Sequence, residues 1–305
     1  MIMIGVDAGA TKTEAVSFSA SGERLLHAKK GIGNMVVRYD DALKNISEAI
    51  KETVPPSAGN DELFICIGAA GADTGENRSI LRSHIGQTLP GARVRVMNDG
   101  NLALYASHGL GDGIVAIGGT GSVFIARRDA VIHRVGGWGH LLGDEGSGYD
   151  TVKKAFCRLI ARYEAKLPYD ALSEALLSQL NTDVYGAVDF FYSAAKGDIA
   201  AFMPIVTQLA DSGDEASFEL LREAGESLAD SVIRLYRYTA FHQQVSVRCI
   251  GSVFKHAKIV REAFIACLKT REKQVVPDMT PVLVPEGVIH VYYEELPNQR
   301  MESGG

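Results

Sequence analysis

Two short loops rich in glycine and threonine combine the residue types that bind phosphate groups. The first, Asp7–Thr13, has the sequence Asp-Ala-Gly-Ala-Thr-Lys-Thr, and the second, Gly118–Ser122, has Gly-Gly-Thr-Gly-Ser. Glycine lets backbone N–H groups approach an anion closely, and threonine hydroxyls donate hydrogen bonds to phosphate oxygens. Asp7 is a candidate to hold a hydrated Mg²⁺ ion. Neither loop has the G-x-x-x-x-G-K-[ST] pattern, so a nucleotide site here requires a fold other than that of the P-loop proteins.

Each loop also has a structural explanation. Hairpin turns favour glycine and aspartate, and the first loop alone fits a hairpin turn better than a phosphate site. The second loop has three glycines within Gly118–Gly121, more than a hairpin needs, which favours close approach to a ligand. Aligning Gly9–Thr11 with Gly118–Thr120 brings the surrounding strands and turns roughly into step. This weak repeat indicates a duplicated strand–turn–strand unit whose two loops could clamp a polyphosphate.

Asp99 follows a predicted apolar strand at Arg93–Met97. Ligands bind at the carboxyl ends of strands in α/β sheets, and a carboxylate there can accept the proton of an alcohol during phosphoryl transfer. The alternative is that Asp99 caps the helix that begins near Asn101, because N-caps favour aspartate. The residues alone leave these two roles open.

The segment Gly136–Tyr149 contains six glycines and the single tryptophan, Trp138. It has neither helical nor strand periodicity, so we predict a loop that leads into a helix. Asp144 and Glu145, in the same segment as an aromatic ring, suit the hydroxyl groups and ring face of a sugar. The alternative is a capping segment with a buried tryptophan.

Alternating strands and helices in the first half of the chain predict an α/β fold with parallel strands, and the second half is mainly helical after Gly146. We place a domain boundary between residues 113 and 114. Near the C-terminus we predict a strand at Val245–Ile250, a helix at Phe254–Leu268 and strands at Val282–Val284 and Val288–Tyr293.

The composition excludes several classes of protein. A net charge of -6 in 305 residues argues against a general nucleic-acid-binding protein. The N-terminus does not resemble a signal peptide, and no stretch approaches the roughly 20 apolar residues of a membrane span. The four cysteines are scattered and the eight histidines fall in no metal-binding pattern. We therefore expect a soluble cytoplasmic protein with reduced thiols and with neither nucleic acid nor membrane as partner.

Four segments together resemble the N-acetylglucosamine kinase branch of the BadF/BadG/BcrA/BcrD ATPase family, within the superfamily of actin, hexokinase and heat-shock-chaperone ATPases. They are Gly5–Thr13, Asn98-Asp99, Gly118–Ser122 and Gly137–Ser147, and Ile250–Lys255 resembles the family's adenosine motif. The resemblance extends from about residue 2 to about residue 260. It implies an α/β fold of two ribonuclease H-like, actin/hexokinase-type domains, 1–113 and 114–305, whose mixed sheets flank a nucleotide cleft.

The resemblance also implies site residues, with ATP and Mg²⁺ as cofactors. Asp7 would position Mg²⁺ through water, and Asp99 would be the base for the 6-hydroxyl of a sugar. The residues implied to bind the nucleotide are Asp7, Gly9, Thr11, Lys12, Thr13, Gly119, Thr120, Gly121, Ala210, Gly251 and Ser252. Those implied to bind the sugar are Asn34, Asp99, Ser122, Gly137, Trp138 and Asp144.

The activity implied is transfer of the γ-phosphate of ATP to an amino sugar, N-acetylglucosamine first, by a homodimer. The alternatives are a kinase of glucosamine or N-acetylmuramic acid, a non-catalytic sugar-sensing ATPase, and an ATPase that activates a dehydratase. Members of the family usually end in a Gly/Ala-rich helix that packs on the N-terminal domain. Residues 294–305 do not match it, so we expect this closing helix to be absent or replaced.

Overall fold

The structure is a computed structural model, and it describes residues 1–59 and 62–302. The chain forms two compact units. The first consists of residues 1–113, a short segment at 127–132 and the chain from Pro281 onward, and the second consists of 114–126 and 133–280. The expected division at residues 113–114 coincides with one boundary of these units. The C-terminal segment, however, groups with the first unit and not with the second.

The first unit is built on a five-stranded sheet in the order β3-β2-β1-β4-β5. β1 is antiparallel to β2 and parallel to β4, and β4 is parallel to β5. The central strands are apolar because both their faces are buried, whereas the edge strand β3 exposes most of its side chains. The strands are β1 (Ile2–Ala8), β2 (Thr13–Ser19), β3 (Arg24–Lys30), β4 (Leu63–Ala69) and β5 (Arg93–Met97). The helices are α1 (Tyr39–Thr53), α2 (Asn77–Thr88) and α3 (Asp99–His108), with a 3₁₀ turn at Pro56–Ala58.

The second sheet has the order β10-β9-β6-β7-β8, and β9 is parallel to both β6 and β10. Eight helices accompany it in the described chain between β8 and β10, and they share one apolar core with the sheet. The strands are β6 (Gly113–Gly118), β7 (Ser122–Arg128), β8 (Val131–Gly136), β9 (Val245–Ile250) and β10 (Val275–Asp278). The helices are α4 (Gly148–Glu164), α5 (Ala171–Leu180), α6 (Val184–Ser193), α7 (Lys196–Ala200), α8 (Met203–Asp211), α9 (Glu215–Tyr238), α10 (Ser252–His256) and α11 (Lys258–Arg271).

The C-terminal segment departs most from the sequence predictions. The predicted strands at Val282–Val284 and Val288–Tyr293 are wrong: the chain forms a 3₁₀ turn at Val284–Glu286 and then helix α12 (Gly287–Glu302). The run of β-branched and aromatic residues suggested a strand, but Val288 and Val291 are the buried residues, at a helical spacing of three. The predicted helix Phe254–Leu268 is divided at Ala257 into α10 and α11, and β10 was not predicted.

Helix α12 belongs to the first unit and lies against α3. A Cβ atom on Gly287 would lie 2.6 Å from the carbonyl oxygen of Leu102, so the start of α12 touches the α3 backbone. The turn before it is equally close to β1, because a Cβ atom on Gly5 would lie 1.8 Å from the carbonyl oxygen of Pro285. A closing helix of different sequence is therefore present, which agrees with the second of the two expectations, that the helix is replaced.

A buried ion pair joins α12 to this unit. Arg127 is 5% exposed and donates from Nη2 to Oε1 of Glu294 at 2.7 Å. The hydroxyl of Tyr105 donates to Oε2 of Glu294 at 2.5 Å, and the Arg127 guanidinium lies 5.1 Å from the centre of the Tyr105 ring. Burial, with the hydrogen bond to Glu294, raises the pKa of Tyr105 to about 12. Glu294 thus satisfies two buried polar groups at once.

We expect Glu294→Ala to destabilise the first unit much more than the neighbouring substitution Glu295→Ala. Removing Glu294 leaves the Arg127 charge buried without its carboxylate. We expect a loss of about 2–3 kcal/mol, somewhat below the range for fully buried pairs because Glu294 is 38% exposed. Glu295 makes only partly exposed ion pairs with Arg93 and Arg95, worth roughly 0–1 kcal/mol. Urea unfolding, with hydrogen exchange of the amides of residues 288–296, measures both effects. Equal losses in the two variants would contradict this assignment.

Candidate functional site

The carboxyl ends of three parallel strands bring Asp7 and Asp99 to one edge of the first sheet. Asp7 in β1 is opposite Gly68 in β4, and Gly68 is opposite Met97, the last residue of β5. Asp99 begins α3 two residues after β5. A Cβ atom on Gly68 would lie 2.7 Å from Cβ of Leu102 and 3.2 Å from Cα of Asp99. The absence of a side chain at Gly68 therefore lets α3 approach the sheet and sets the place of Asp99.

Both carboxyl groups are surrounded by protein atoms and partly shielded from solvent. Burial, with the negative charge of Asp99, raises the pKa of Asp7 to about 7, against the opposing charge of Lys12. Burial also raises the pKa of Asp99 to about 6, although the Gly100 N–H donates to its Oδ1 at 3.0 Å. Repulsion between desolvated carboxylates favours binding of a proton or a cation. A carboxyl group with a pKa near 6 is also suited to accept a proton at neutral pH.

The helix-capping role considered for Asp99 is fulfilled by its neighbour. Asn98 is the N-cap of α3, and its Oδ1 accepts a hydrogen bond from the Gly100 N–H at 3.0 Å. Asp99 is the first helical residue. Its carboxyl group is therefore not needed as the cap, which favours the chemical role over the structural one.

The first glycine loop is a closed turn between β1 and β2. The Gly9 N–H donates to the carbonyl oxygen of Lys12 at 2.9 Å, and Thr11 is exposed at the tip. A Cβ atom on Gly9 would make only an ordinary contact, 3.6 Å from the carbonyl oxygen of Lys12. The protein's own packing thus does not require glycine there, and the space is open to a ligand. Thr13 is fully buried, whereas Thr11 is exposed. The nucleotide contacts predicted for both residues stay predictions.

Lys12 is engaged with a carboxylate that the sequence analysis did not single out. Its Nζ donates to Oε2 of Glu14 at 2.6 Å, while Nε2 of His27 lies 2.9 Å and Nζ of Lys29 lies 3.6 Å from Oε1 of the same residue. Burial would raise the pKa of Glu14, but these basic partners outweigh it and hold the pKa below its usual value. The assignment of Lys12 to the nucleotide stays a prediction. In the structure the Lys12 ammonium group forms an ion pair with the Glu14 carboxylate.

Asn34, the predicted sugar ligand of the first unit, lies in a loop beside the first glycine loop. The Gly33 N–H donates to the carbonyl oxygen of Gly9 at 3.0 Å, and a Cβ atom on Gly33 would lie 2.6 Å from Cβ of Ala8. Oδ1 of Asn34 accepts from the N–H groups of Val36 and Val37, at 2.9 and 3.2 Å. Asn34 is therefore held in a fixed orientation next to the carboxyl end of β1.

In the second unit, the segment 144–149 holds the second glycine loop. The Gly148 N–H donates to the carbonyl oxygen of Gly119 at 2.9 Å, and the Ser122 hydroxyl donates to the carbonyl oxygen of Glu145 at 2.9 Å. The Ser122 N–H donates to Oδ1 of Asp144 at 3.2 Å. The predicted phosphate loop and the predicted sugar loop therefore form one hydrogen-bonded structure. A displacement of one moves the other.

Gly251 and Ser252 also lie beside the second glycine loop, because β9 is parallel to β6 with Ile250 opposite Ile117. Gly251 has a φ of 107°, and a Cβ atom there would lie 2.3 Å from the carbonyl oxygen of Gly118. Only glycine fits this position. A Cβ atom on Gly119 would have the Ser252 hydroxyl as its nearest neighbour, at 3.8 Å, so space remains above the loop.

Ala210 is placed differently from the other predicted nucleotide residues. It lies near the end of α8, is 7% exposed and is part of the apolar core of the second unit. Core packing accounts for it fully. Its contact with the nucleotide stays a prediction.

Trp138 is exposed, so the alternative of a capping segment with a buried tryptophan is wrong. Its ring is 65% exposed and lies against the guanidinium of Arg134, 4.5 Å from the ring centre. Gly137 has a φ of 71° and donates its N–H to the carbonyl oxygen of Ser122 at 3.0 Å. This hydrogen bond places Trp138, the next residue, beside the end of the second glycine loop. An exposed aromatic ring in this place is suited to the apolar face of a sugar.

Lys196 is a further site residue that sequence analysis missed. Its Nζ donates to Oδ2 of Asp144 at 2.5 Å. Lys196 lies 52 residues after Asp144, at the first position of α7, and is part of no motif. The fold alone brings it to the loop.

Comparison with known proteins places these residues in a family. The sequence model of the BadF/BadG/BcrA/BcrD ATPase family matches residues 4–284. The chain belongs to this family. This family is one of ATPases. The four motifs of the sequence resemblance therefore identified it correctly.

Characterised relatives and a solved structure are similar over most of the chain. The N-acetylmuramic acid/N-acetylglucosamine kinase of Clostridium acetobutylicum is 29% identical over 270 residues, covering 86% of this chain and 88% of that protein. The N-acetyl-D-glucosamine kinase of Dictyostelium discoideum is 27% identical, covering 76% and 78%. A solved Chromobacterium violaceum structure, of a protein whose proposed activity is N-acetylglucosamine kinase, superposes with a TM-score of 0.75 at 23% identity, covering 94% and 97%. The predicted actin/hexokinase-type α/β fold is confirmed.

Two searches of the described residues bear on the expected partners. In the chain from 1 to 59 and 62 to 302, no helix is both long and apolar enough to cross a membrane. The same residues contain no group of three or more histidine, cysteine, aspartate or glutamate side chains arranged to hold a metal ion.

Gly68→Ala and Gly86→Ala should change stability in opposite directions. The new methyl group at position 68 would collide with Leu102 and displace Asp99, which we expect to destabilise the protein by about 1–3 kcal/mol. Gly86 lies within α2, and a Cβ atom there meets nothing within 4 Å, so alanine should stabilise the helix by roughly 0.5–1 kcal/mol. Urea unfolding measures both. Similar effects of the two substitutions would show that Gly68 does not set the distance between α3 and the sheet.

Asp7→Asn should stabilise the protein more at pH 8 than at pH 5. Folding raises the pKa of Asp7 from 3.8 to about 7, so the folded wild-type protein keeps a proton that the unfolded chain releases between these values. The wild type therefore loses stability as pH rises from about 4 to 7, and neutral asparagine removes that loss. The comparison requires urea midpoints of both proteins at pH 5 and pH 8. A stability difference of the same size at both pH values would refute the prediction.

Proposed function

We propose that this protein is an ATP-dependent kinase that transfers the γ-phosphate to the 6-hydroxyl of an amino sugar, with N-acetylglucosamine as the first candidate. The observation that carries the proposal is the Asp99 carboxyl group at the carboxyl edge of the sheet, with its pKa raised to about 6. The curated relatives support it, since their names are those of kinases of N-acetylglucosamine, N-acetylmuramic acid and glucosamine. They do not favour the sugar-sensor and dehydratase-activator alternatives.

Asp99 acts as the general base. Above pH 6 its carboxylate is mainly ionised, and it accepts the proton of the sugar hydroxyl as that oxygen attacks the γ-phosphorus. The new O–P bond forms as the bond between the γ-phosphorus and the β–γ bridging oxygen breaks. ADP leaves with the electron pair of the broken bond. Oδ1 of Asp99 is held by the Gly100 N–H, which keeps the group oriented before the sugar binds.

The residues around Asp7 fit a hydrated Mg²⁺ ion. Mg²⁺ prefers oxygen ligands and keeps several of its waters, so it needs few protein carboxylates. Asp7 supplies a carboxyl group whose pKa is raised first by burial and then by the negative charge of Asp99, so a nearby cation would stabilise its ionised form. When bound, the ion would neutralise charge on the ATP phosphates. Asp7 would hold it through water.

Each unit supplies one phosphate-binding loop. Thr11 in the first loop and Thr120 in the second are our candidates to donate hydroxyl hydrogen bonds to the phosphates, because Gly9 and Gly119 in the same loops leave space for a ligand. Gly251 and Ser252, at the end of β9 and the start of α10, are candidates for the adenosine. Donors that are already in place stabilise charge on the transferred phosphoryl group without reorganisation.

The sugar is assigned to residues of two kinds. Asn34 and Asp144 supply fixed polar groups, and Trp138 supplies an exposed aromatic face. Asp144 is 3% exposed and accepts from both Ser122 and Lys196, so its orientation is fixed before the sugar binds. We also assign the reaction to the cytoplasm and to a homodimer, on the sequence features and the resemblance given above.

Release of ADP in a coupled assay should require both ATP and an amino sugar, and Asp99→Asn should reduce kcat by about 10²–10⁴-fold. For the wild type, kcat should fall as pH decreases through about 6, because protonated Asp99 cannot accept a proton. Release of ADP that does not depend on any sugar would contradict the proposed function. Sugar-dependent activity that survives Asp99→Asn would refute only the assignment of the base.

The matched control is Asp73→Asn. Asp73 is exposed and paired with Arg78, and its negative charge contributes to the raised pKa of Asp99. This variant should keep its turnover while the acid limb of the pH profile moves to lower pH. The shift would identify Asp99 as the titrating group.

A further inference from the structure

Asp144 places a carboxylate directly against the second glycine loop. Its Oδ1 accepts from the Ser122 N–H at 3.2 Å, and a Cβ atom on Gly121 would lie 2.8 Å from its Oδ2. Asp144 is 3% exposed and has a φ of 63°, a left-handed conformation that is uncommon outside glycine and that aspartate and asparagine adopt more readily than most residues. The fold thus retains a constrained aspartate in contact with the loop that we assign to the phosphates.

A bare carboxylate at this place would oppose the proposed ligand. ATP carries several negative charges, and like charges repel more strongly where solvent is excluded than in bulk water. Asp144 is almost fully buried, so water screens its charge poorly. A positive charge beside Asp144 is therefore needed if the loop is to accept a polyphosphate.

Lys196 supplies that charge. Its Nζ lies 2.5 Å from Oδ2 of Asp144 and would lie 2.6 Å from a Cβ atom on Gly121, so the ammonium group lies over the same glycine as the carboxylate. Its side chain is 29% exposed, so it is close to solvent as well as to the loop. In the first unit Lys12 is placed similarly, 2.6 Å from Glu14 and within the first glycine loop.

We propose that Lys196 is a positioning residue for the nucleotide: it neutralises Asp144 and so allows the second glycine loop to bind the ATP polyphosphate. This inference rests on the proposed function insofar as ATP is the ligand of that loop. It does not require a particular sugar. It predicts that removing Lys196 weakens nucleotide binding because the negative charge of Asp144 is left without a partner. The loss of the contact between the two side chains is not by itself the cause.

The test measures binding of the Mg²⁺ complex of a non-hydrolysable ATP analogue, by calorimetry without sugar, to the full-length protein and its variants. Lys196→Met should weaken binding about tenfold, since one unpaired buried charge then faces the phosphates. Lys196→Arg should stay close to the wild type. Asp144→Asn should bind the analogue at least as tightly as the wild type, because asparagine places no negative charge against the loop.

The double variant Asp144→Asn with Lys196→Met separates neutralisation from direct contact. If Lys196 acts by neutralising Asp144, adding Lys196→Met to Asp144→Asn should weaken binding by much less than it does in the wild type. Asparagine tolerates the left-handed conformation of position 144, so the variant should fold. AMP binding should change less than analogue binding in every variant, because AMP lacks the distal phosphates.

The matched control is Lys154→Met. Nζ of Lys154 lies 3.0 Å from Oδ2 of Asp150, and the same oxygen accepts a hydrogen bond from the Gly146 N–H, so the pair resembles that of Lys196 and Asp144. In the described hydrogen bonds neither residue contacts the second glycine loop. Replacing Lys154 by methionine should leave binding of the ATP analogue unchanged. A comparable loss in Lys154→Met would show that disruption of any such ion pair weakens binding, and would overturn the proposal.

Three other results would overturn it. They are weaker analogue binding by Asp144→Asn, an equal effect of Lys196→Met in both backgrounds, and no effect of Lys196→Met. Because the assay contains no sugar and no turnover, a wild type that binds the analogue but phosphorylates no amino sugar would refute the proposed function alone. A wild type that binds no nucleotide would refute both.

Discussion

The parallel pairing of β1, β4 and β5 is the constraint on which the site in the first unit depends. Parallel strands end at the same edge of a sheet, so residues distant in sequence, Asp7 and Asp99, arrive there together. The approach of α3 at Gly68 then removes much of the water around them. Burial in this packing is the main cause of their raised pKa values, and the negative charge of Asp99 raises that of Asp7 further. The geometry of the backbone thus creates the electrostatic property that the chemistry uses.

In both units, carboxylates close to the loops that we assign to the phosphates are paired with basic side chains. In the first, Glu14 is surrounded by Lys12, His27 and Lys29, and in the second Asp144 has Lys196. The two aspartates Asp7 and Asp99 are different, because desolvation and their mutual repulsion raise the pKa of Asp7. Carboxylates that hold the loops are thus neutralised by the protein itself, whereas those assigned to chemistry are left to be neutralised by a proton or a cation.

Much of this arrangement could be predicted from the sequence, because local signals carried it. The glycine loops, the strand that ends before Asp99 and the loop at Gly136–Tyr149 depend on residue type and short-range periodicity, and all have the expected secondary structure. Lys196 was not identified because its partner Asp144 is 52 residues away in sequence, and such a pair leaves no local pattern. For Glu14, the contacts with His27 and Lys29 depend on the pairing of β2 with β3. Helix α12 was mistaken for a strand because its β-branched and aromatic residues favour a strand locally, and burial of Val288 and Val291 decides otherwise.

The contact between Gly5 and Pro285 has a consequence for the order in which the protein is made. Strand β1 is covered by a turn that is synthesised 280 residues later, and α12 follows that turn. Until then one apolar surface of the nascent sheet is not covered by this turn and helix, while the intervening residues form the second unit. The first unit therefore cannot complete its core until the second unit has been synthesised. Its early strands must wait, exposed or bound by chaperones, for the turn and α12 to follow.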